Sequence, residues 1–62
     1  MITDRLNEFL IELGLPEYYI DSVQMIKFNE NVCYVQTYEP TLEGYLKTTD
    51  GTPVLVTHTF LI

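Results

Sequence analysis

Tryptophan is absent, and cysteine and histidine occur once each, as Cys33 and His58. One cysteine excludes an internal disulfide. With one histidine, a closed zinc site would have to borrow two carboxylates, and none stands at a ligand-like spacing. Basic residues are nearly as scarce: Arg5, Lys27 and Lys47 stand against nine acids, for a net charge of −6. Bases so scattered make no Lys/Arg cluster of the kind that marks a phosphate-binding surface, which argues against tight, non-specific nucleic-acid binding. No apolar run approaches the roughly 20 residues of a membrane span. The order of basic, apolar and small residues that marks a secretory leader is also missing. An unpaired cysteine fits a reducing compartment, so a cytoplasmic setting is expected.

What remains is a short and strongly apolar chain. Its 62 residues are 47% hydrophobic and include five tyrosines and three phenylalanines. That length holds one domain, and a domain so small buries only about 60% of its unfolded surface. Small folds usually gain support from disulfides, a metal or assembly. With no disulfide possible and no metal spacing present, a homo-oligomer joined through edge strands is expected. The acid excess has two readings. It keeps an apolar protein soluble, or it presents an acidic face to a basic protein partner.

Along the chain, Thr3 or Asp4 is placed to cap a helix over residues 3–13. Ile2, Leu6, Phe9, Leu10 and Leu13 recur at offsets of 4, 7, 8 and 11, a single apolar stripe opposite Asn7, Glu8 and Glu12. Gly14 suits a left-handed helix end, and Pro16 blocks continuation. Aromatic and β-branched residues then predict strands at about 18–28, 32–39, 42–49 and 54–62. Asn29-Glu30-Asn31 is the first turn, Pro40 ends the second strand, Gly44 interrupts the third, and Asp50-Gly51 is the strongest hairpin signal. In the last run Val54, Val56, His58, Phe60 and Ile62 share one face, while Leu55, Thr57, Thr59 and Leu61 share the other. Both faces are partly apolar, so the strand is expected to be covered on both sides or joined to a neighbouring subunit, with room to bend near 57–59.

Leu46-Lys47-Thr48-Thr49, a short turn and Val56-Thr57-His58, with a helix running into Pro16, resemble the Sm-like family, its bacterial Hfq-like branch in particular. The resemblance implies an α+β fold: an N-terminal helix on a strongly bent four- to five-stranded antiparallel sheet, closed as a small barrel and assembled into a ring. It further implies single-stranded nucleic-acid binding, with His58, Thr57, Lys47 and Thr41 near the bound strand. Several family features differ here. Val35, Gln36, Thr37 and Glu39-Pro40 stand where the family has a Gly and a loop Asp. Thr41-Leu42 replaces a base-stacking Gln-Phe pair, and Thr57 replaces a lysine. Small acidic proteins of this layout also resemble phage products, which would act in a host cytoplasm.

Each candidate residue carries a plain structural alternative. His58 is the only side chain whose unperturbed pKa lies near neutrality; it would line a pore, or would simply be a half-buried strand residue. Tyr18 and Tyr19, expected on opposite faces of a strand, and Tyr34 and Tyr38, expected on one face, would stack bases or pack an interface. Asp21, Glu30, Glu39 and Glu43 offer no singled-out carboxylate pair. Ser22 has no triad context, and no phosphate loop appears. Cys33 reads as core. No cofactor, metal or catalytic residue is expected. The leading expectation is a non-enzymatic, oligomeric, Sm-like protein binding single-stranded RNA or DNA. The alternative is a small acidic interaction module that occupies a basic surface on a host protein.

Overall fold

The computed structural model describes residues 2–62 in backbone and the side chains from Asp4 onward. It has an N-terminal helix, a short 3₁₀ helix and an antiparallel sheet, an α+β arrangement. Helix α1 spans Ile2–Leu13, so Thr3 and Asp4 lie inside its first turn rather than ahead of it. The expected contributions of the Ile2 side chain to the stripe and of the Thr3 side chain to a cap lie outside the described residues. Leu10 is the stripe residue that reaches full burial, whereas Leu6, Phe9 and Ile11 stay partly exposed.

The end of α1 follows from Gly14. Its φ of 117° is open to glycine, and it permits two closing bonds: Gly14 N–H to the Ile11 carbonyl and Leu15 N–H to the Leu10 carbonyl, both 3.0 Å. Leu10 and Leu15 are thereby brought into the same core, with Tyr19, Cys33 and Val35.

Residues 18–22, expected as the start of a strand, belong instead to a 3₁₀ helix, Glu17–Ser22. Pro16 fixes the entry, and its carbonyl accepts Tyr19 N–H at 3.0 Å. Three residues per turn align Tyr19 with Ser22, and both are buried. Ser22 Oγ lies 3.2 Å from the Tyr19 carbonyl and accepts Tyr38 N–H at 3.3 Å. A hydroxyl thus satisfies the end of a strand where a longer neighbouring strand would have done so.

The remaining strands are β1 (Met25–Asn29), β2 (Val32–Tyr38), β3 (Pro40–Thr41), β4 (Gly44–Tyr45) and β5 (Leu55–Leu61). The main sheet has the order β1-β2-β5, all antiparallel, and it is not closed. Glu30, with φ 55°, turns the β1–β2 hairpin. The expected strand over 42–49 is reduced to β4, which pairs with β3 and not with β5. Two features shorten it. Thr41 Oγ1 accepts Glu43 N–H at 3.3 Å and tightens the turn before Gly44. Around the Asp50-Gly51 turn, residues 46–54 close on themselves through a single bridge, Lys47 to Pro53, bracketed by Thr48 N–H to the Thr52 carbonyl at 2.8 Å and Val54 N–H to the Leu46 carbonyl at 2.9 Å. β5 runs unbroken through 57–59 as a single strand.

The sheet is covered on one side. Cys33, Val35 and Thr37 of β2 are fully buried, and Ile26 and Phe60 pack at the margin of the same core. Phe28 joins this inner face through the Phe9 ring, 6.2 Å away. The outer face stays open, apart from Tyr45, whose ring meets Tyr38 at 5.4 Å at one end. The expectation that β5 is covered on both sides therefore fails within a single copy of the chain.

Candidate functional site

The single histidine sits on the inner face, in a polar cluster at the core's edge. His58 Nε2 is 2.9 Å from Thr37 Oγ1, and its ring lies 4.3 Å from that of Tyr19. Tyr19 in turn donates its hydroxyl to Glu39 Oε2 at 2.8 Å. Tyr18, expected across a strand from Tyr19, is its neighbour in the 3₁₀ helix, with the rings 4.5 Å apart. Four segments meet here: the 3₁₀ helix, β2, the residue after β2, and β5.

Burial lowers the His58 pKa, with the Glu39 carboxylate pulling in the opposite direction. The neutral ring is therefore favoured, and its link to Thr37 needs no charge. The bond to Glu39, aided by burial, pushes the Tyr19 phenol up to about 12. Every buried side-chain polar atom among the described residues has a partner. Two hydrogen-bonded pairs, His58–Thr37 and Tyr19–Glu39, are joined by the Tyr19–His58 ring contact.

The residues implied by the resemblance are not brought together. Thr57 lies on the opposite face from His58, with its Oγ1 3.5 Å from Gln36 Nε2. Thr41 and Lys47 meet elsewhere, lining an open cleft of about 490 Å³ with Leu42, Glu43, Tyr45 and Leu46. Lys47 and Glu43 leave that cleft without a dominant sign of charge. Cys33 is buried in the core, and burial pushes its thiol pKa up, away from the reactive thiolate. Among the described residues, no cluster of His, Cys, Asp and Glu is arranged to hold a metal. Among the described residues, no helix is long and apolar enough to cross a membrane.

The surface that does assemble is the outer face of the sheet. Registers place Met25, Lys27 and Asn29 beside Gln36, Tyr34 and Val32. On the other side, Tyr38, Gln36, Tyr34 and Val32 meet Leu55, Thr57, Thr59 and Leu61. None of these residues is acidic, although the chain holds nine acids. Leu55 and Leu61 are 53% and 83% exposed. Tyr34 and Tyr38 share this face as expected. The period-two pattern of β2 and β5 already carries the signal for this surface. The Tyr19–Glu39 contact joins residues 20 apart in sequence, and no local pattern announces it.

Comparison with protein-family models, with curated proteins and with solved structures found no match.

Proposed function

We propose that this protein is a non-enzymatic interaction module that docks on another protein through its outer sheet face. The observation that carries this reading is the segregation of charge. In a chain with nine acids, no outward strand position is acidic, and these positions hold Tyr, Met, Leu, Val, Thr, Gln and Asn with one Lys. Depletion of charge with aromatic and Met enrichment is the composition of a protein interface core. The acids on α1 and the 3₁₀ helix give the rest of the molecule a negative field, which steers it toward a partner with a basic surface. Arg5 on α1, Lys27 on the outer face and Lys47 at the cleft stand on three separate elements, so no surface offers a row of phosphate contacts.

A second reading rests on Tyr34 and Tyr38. On one face of the central strand, with Gln36 between them, Lys27 opposite Tyr34 and Thr57 opposite Gln36, each would stack one base of a single strand. Each such contact is worth roughly 1–3 kcal/mol. The Sm-like arrangement, a closed barrel joined into a ring that binds RNA, belongs to this reading. His58 would contribute nothing to it from the inner face.

A pull-down from the native cells with an oligonucleotide titration at low salt separates the two. Docking on protein predicts one stoichiometric basic partner, lost in Y34E and kept in E8K, with both variants folded by circular dichroism. It also predicts no anisotropy change with uridine-rich or adenine-rich oligonucleotides. Saturable oligonucleotide binding abolished in a Y34A/Y38A variant would establish the second reading instead.

A further inference from the structure

We propose that β5 is a self-complementary edge, along which two copies of the chain pair antiparallel about a two-fold axis at His58. The inference goes beyond the docking reading, because it concerns main-chain groups at the sheet's edge and not side chains on its outer face.

The geometry starts from which groups β5 leaves open. β5 pairs with β2 alone. Ile62 N–H donates to the Asn31 carbonyl at 2.7 Å, which continues the register Cys33↔Phe60, Val35↔His58, Thr37↔Val56. Antiparallel ladders bond alternate residues. The main chain of Val56, His58 and Phe60 is therefore turned to β2, and that of Leu55, Thr57, Thr59 and Leu61 to the free edge. No partner meets those four residues' main-chain groups among the described residues.

These four read Leu-x-Thr-x-Thr-x-Leu, a palindrome centred on His58. A two-fold axis there sets Leu55 against Leu61 of the second copy and Thr57 against Thr59, and every outward group gains a hydrogen-bonding partner. On the inner face Val56 meets Phe60, and His58 meets its own counterpart. Thr–Thr and apolar pairs are favourable cross-strand neighbours. A slip of two residues in either direction would leave outward groups unpaired.

Charge and edge chemistry point the same way. Residues 51–62 contain no acid, so two copies of net charge −6 can meet along β5 without juxtaposing carboxylates. β5 also lacks the lysine, proline or bulge that normally blunts an exposed edge. The opposite edge differs. β1 carries Lys27, and the same alternation leaves it only Ile26 and Phe28 to present outward. A head-to-tail ring, β5 on β1, would match four residues with two. The isologous pair matches four with four.

Light scattering during gel filtration, with T57P, H58C and T57C, tests this. The wild-type mass is expected at twice 7.2 kDa. Thr57 directs its N–H outward, so T57P keeps the β2 ladder but raises the dimer dissociation constant by at least about tenfold. Directly opposed non-bonded residues lie about 4.5 Å apart, within disulfide reach. H58C therefore cross-links two chains under mild oxidation. T57C does not, because its counterpart lies diagonally about 7–8 Å away. A wild-type monomer at about millimolar concentration, a larger ring, a T57P dimer of unchanged affinity, or T57C linking as readily as H58C would each overturn the proposal. If the wild type is monomeric while outer-face docking persists, the edge inference alone fails.

Discussion

Thr57 and His58, adjacent in sequence, stand on opposite faces of the sheet: Thr57 exposed among the outer side chains, His58 half-buried against Thr37 and Tyr19. Their substitutions should therefore differ. In H58A the fully buried Thr37 hydroxyl loses its partner, which costs about 1–3 kcal/mol. T57A should stay within about 0.5 kcal/mol of wild type. Urea unfolding midpoints measured well above the concentration of any association check both values. Equal effects would contradict the placement of His58 inside.

Stability should fall as the solution becomes acidic. The folded His58 has a pKa lowered by burial, below its unfolded value of about 6.5. The unfolded chain therefore takes up the proton first. The stabilisation is complete above about pH 6.5 and is lost as pH falls from there through the folded value. Proton NMR of the ring should give a midpoint under 6.5, and H58N should flatten the stability profile over that interval.

Association along β5 should weaken in the same interval. The titratable and charged groups around His58 are Tyr19 with its neighbour Tyr18, Glu39, and His58 of the second copy. Burial lowers the imidazole pKa, so the two imidazoles gain charge as pH falls below about 6.5, and like charges directly opposed in a ladder are destabilising. Sedimentation at pH 7.5 and at successively lower pH should show dissociation as the imidazoles take up protons. Added salt should tighten association at pH 7.5, since it screens the repulsion between two acidic bodies. Weaker association in salt would mean that ion pairs hold the copies together.

The alkaline limit is set elsewhere. Tyr19, buried and bonded to Glu39, has its phenol raised to about 12. Its contribution is complete below the ordinary phenol value near 10 and disappears as pH rises toward 12. Ultraviolet titration should show one late tyrosine whose ionisation accompanies unfolding, and Y19F should lack that step.

Gly14 gives a purely conformational test. A Cβ there would sit 3.6 Å from the Phe60 ring, an ordinary contact, but φ is 117°. G14A should then lose stability through backbone strain, by about 1 kcal/mol or more, with no change in the sheet's amide spectrum. No loss would show that the helix end tolerates another closure.

The sequence makes some of this visible and hides the rest for definable reasons. The stripe from Leu6 to Leu13 and the Gly14–Pro16 stop mark the helix, and alternation in Val32–Tyr38 and Leu55–Leu61 sorts side chains to the correct faces. Tyr18 to Ser22 look β-forming by composition, yet Pro16 and the Ser22 hydroxyl make a 3₁₀ turn more favourable. The run 42–49 does not form one strand because Gly44–Tyr45 folds back on Pro40–Thr41 while Leu46 and Thr48 bond across the Asp50-Gly51 turn to Val54 and Thr52. The partnership of β2 with β5 joins distant segments, which no local signal encodes. The resemblance placed Thr57 and His58 together near one ligand, while strand periodicity already separated them.

The account rests on the acid-free outer face being the surface that another protein covers. Photo-cross-linking in the native cells, with a benzoyl-phenylalanine probe replacing Tyr34 in one variant and Glu8 in another, measures this directly. A discrete protein adduct from the Tyr34 position and none from the Glu8 position is the predicted result. Adducts confined to the Glu8 position, or to nucleic acid at Tyr34, would contradict it.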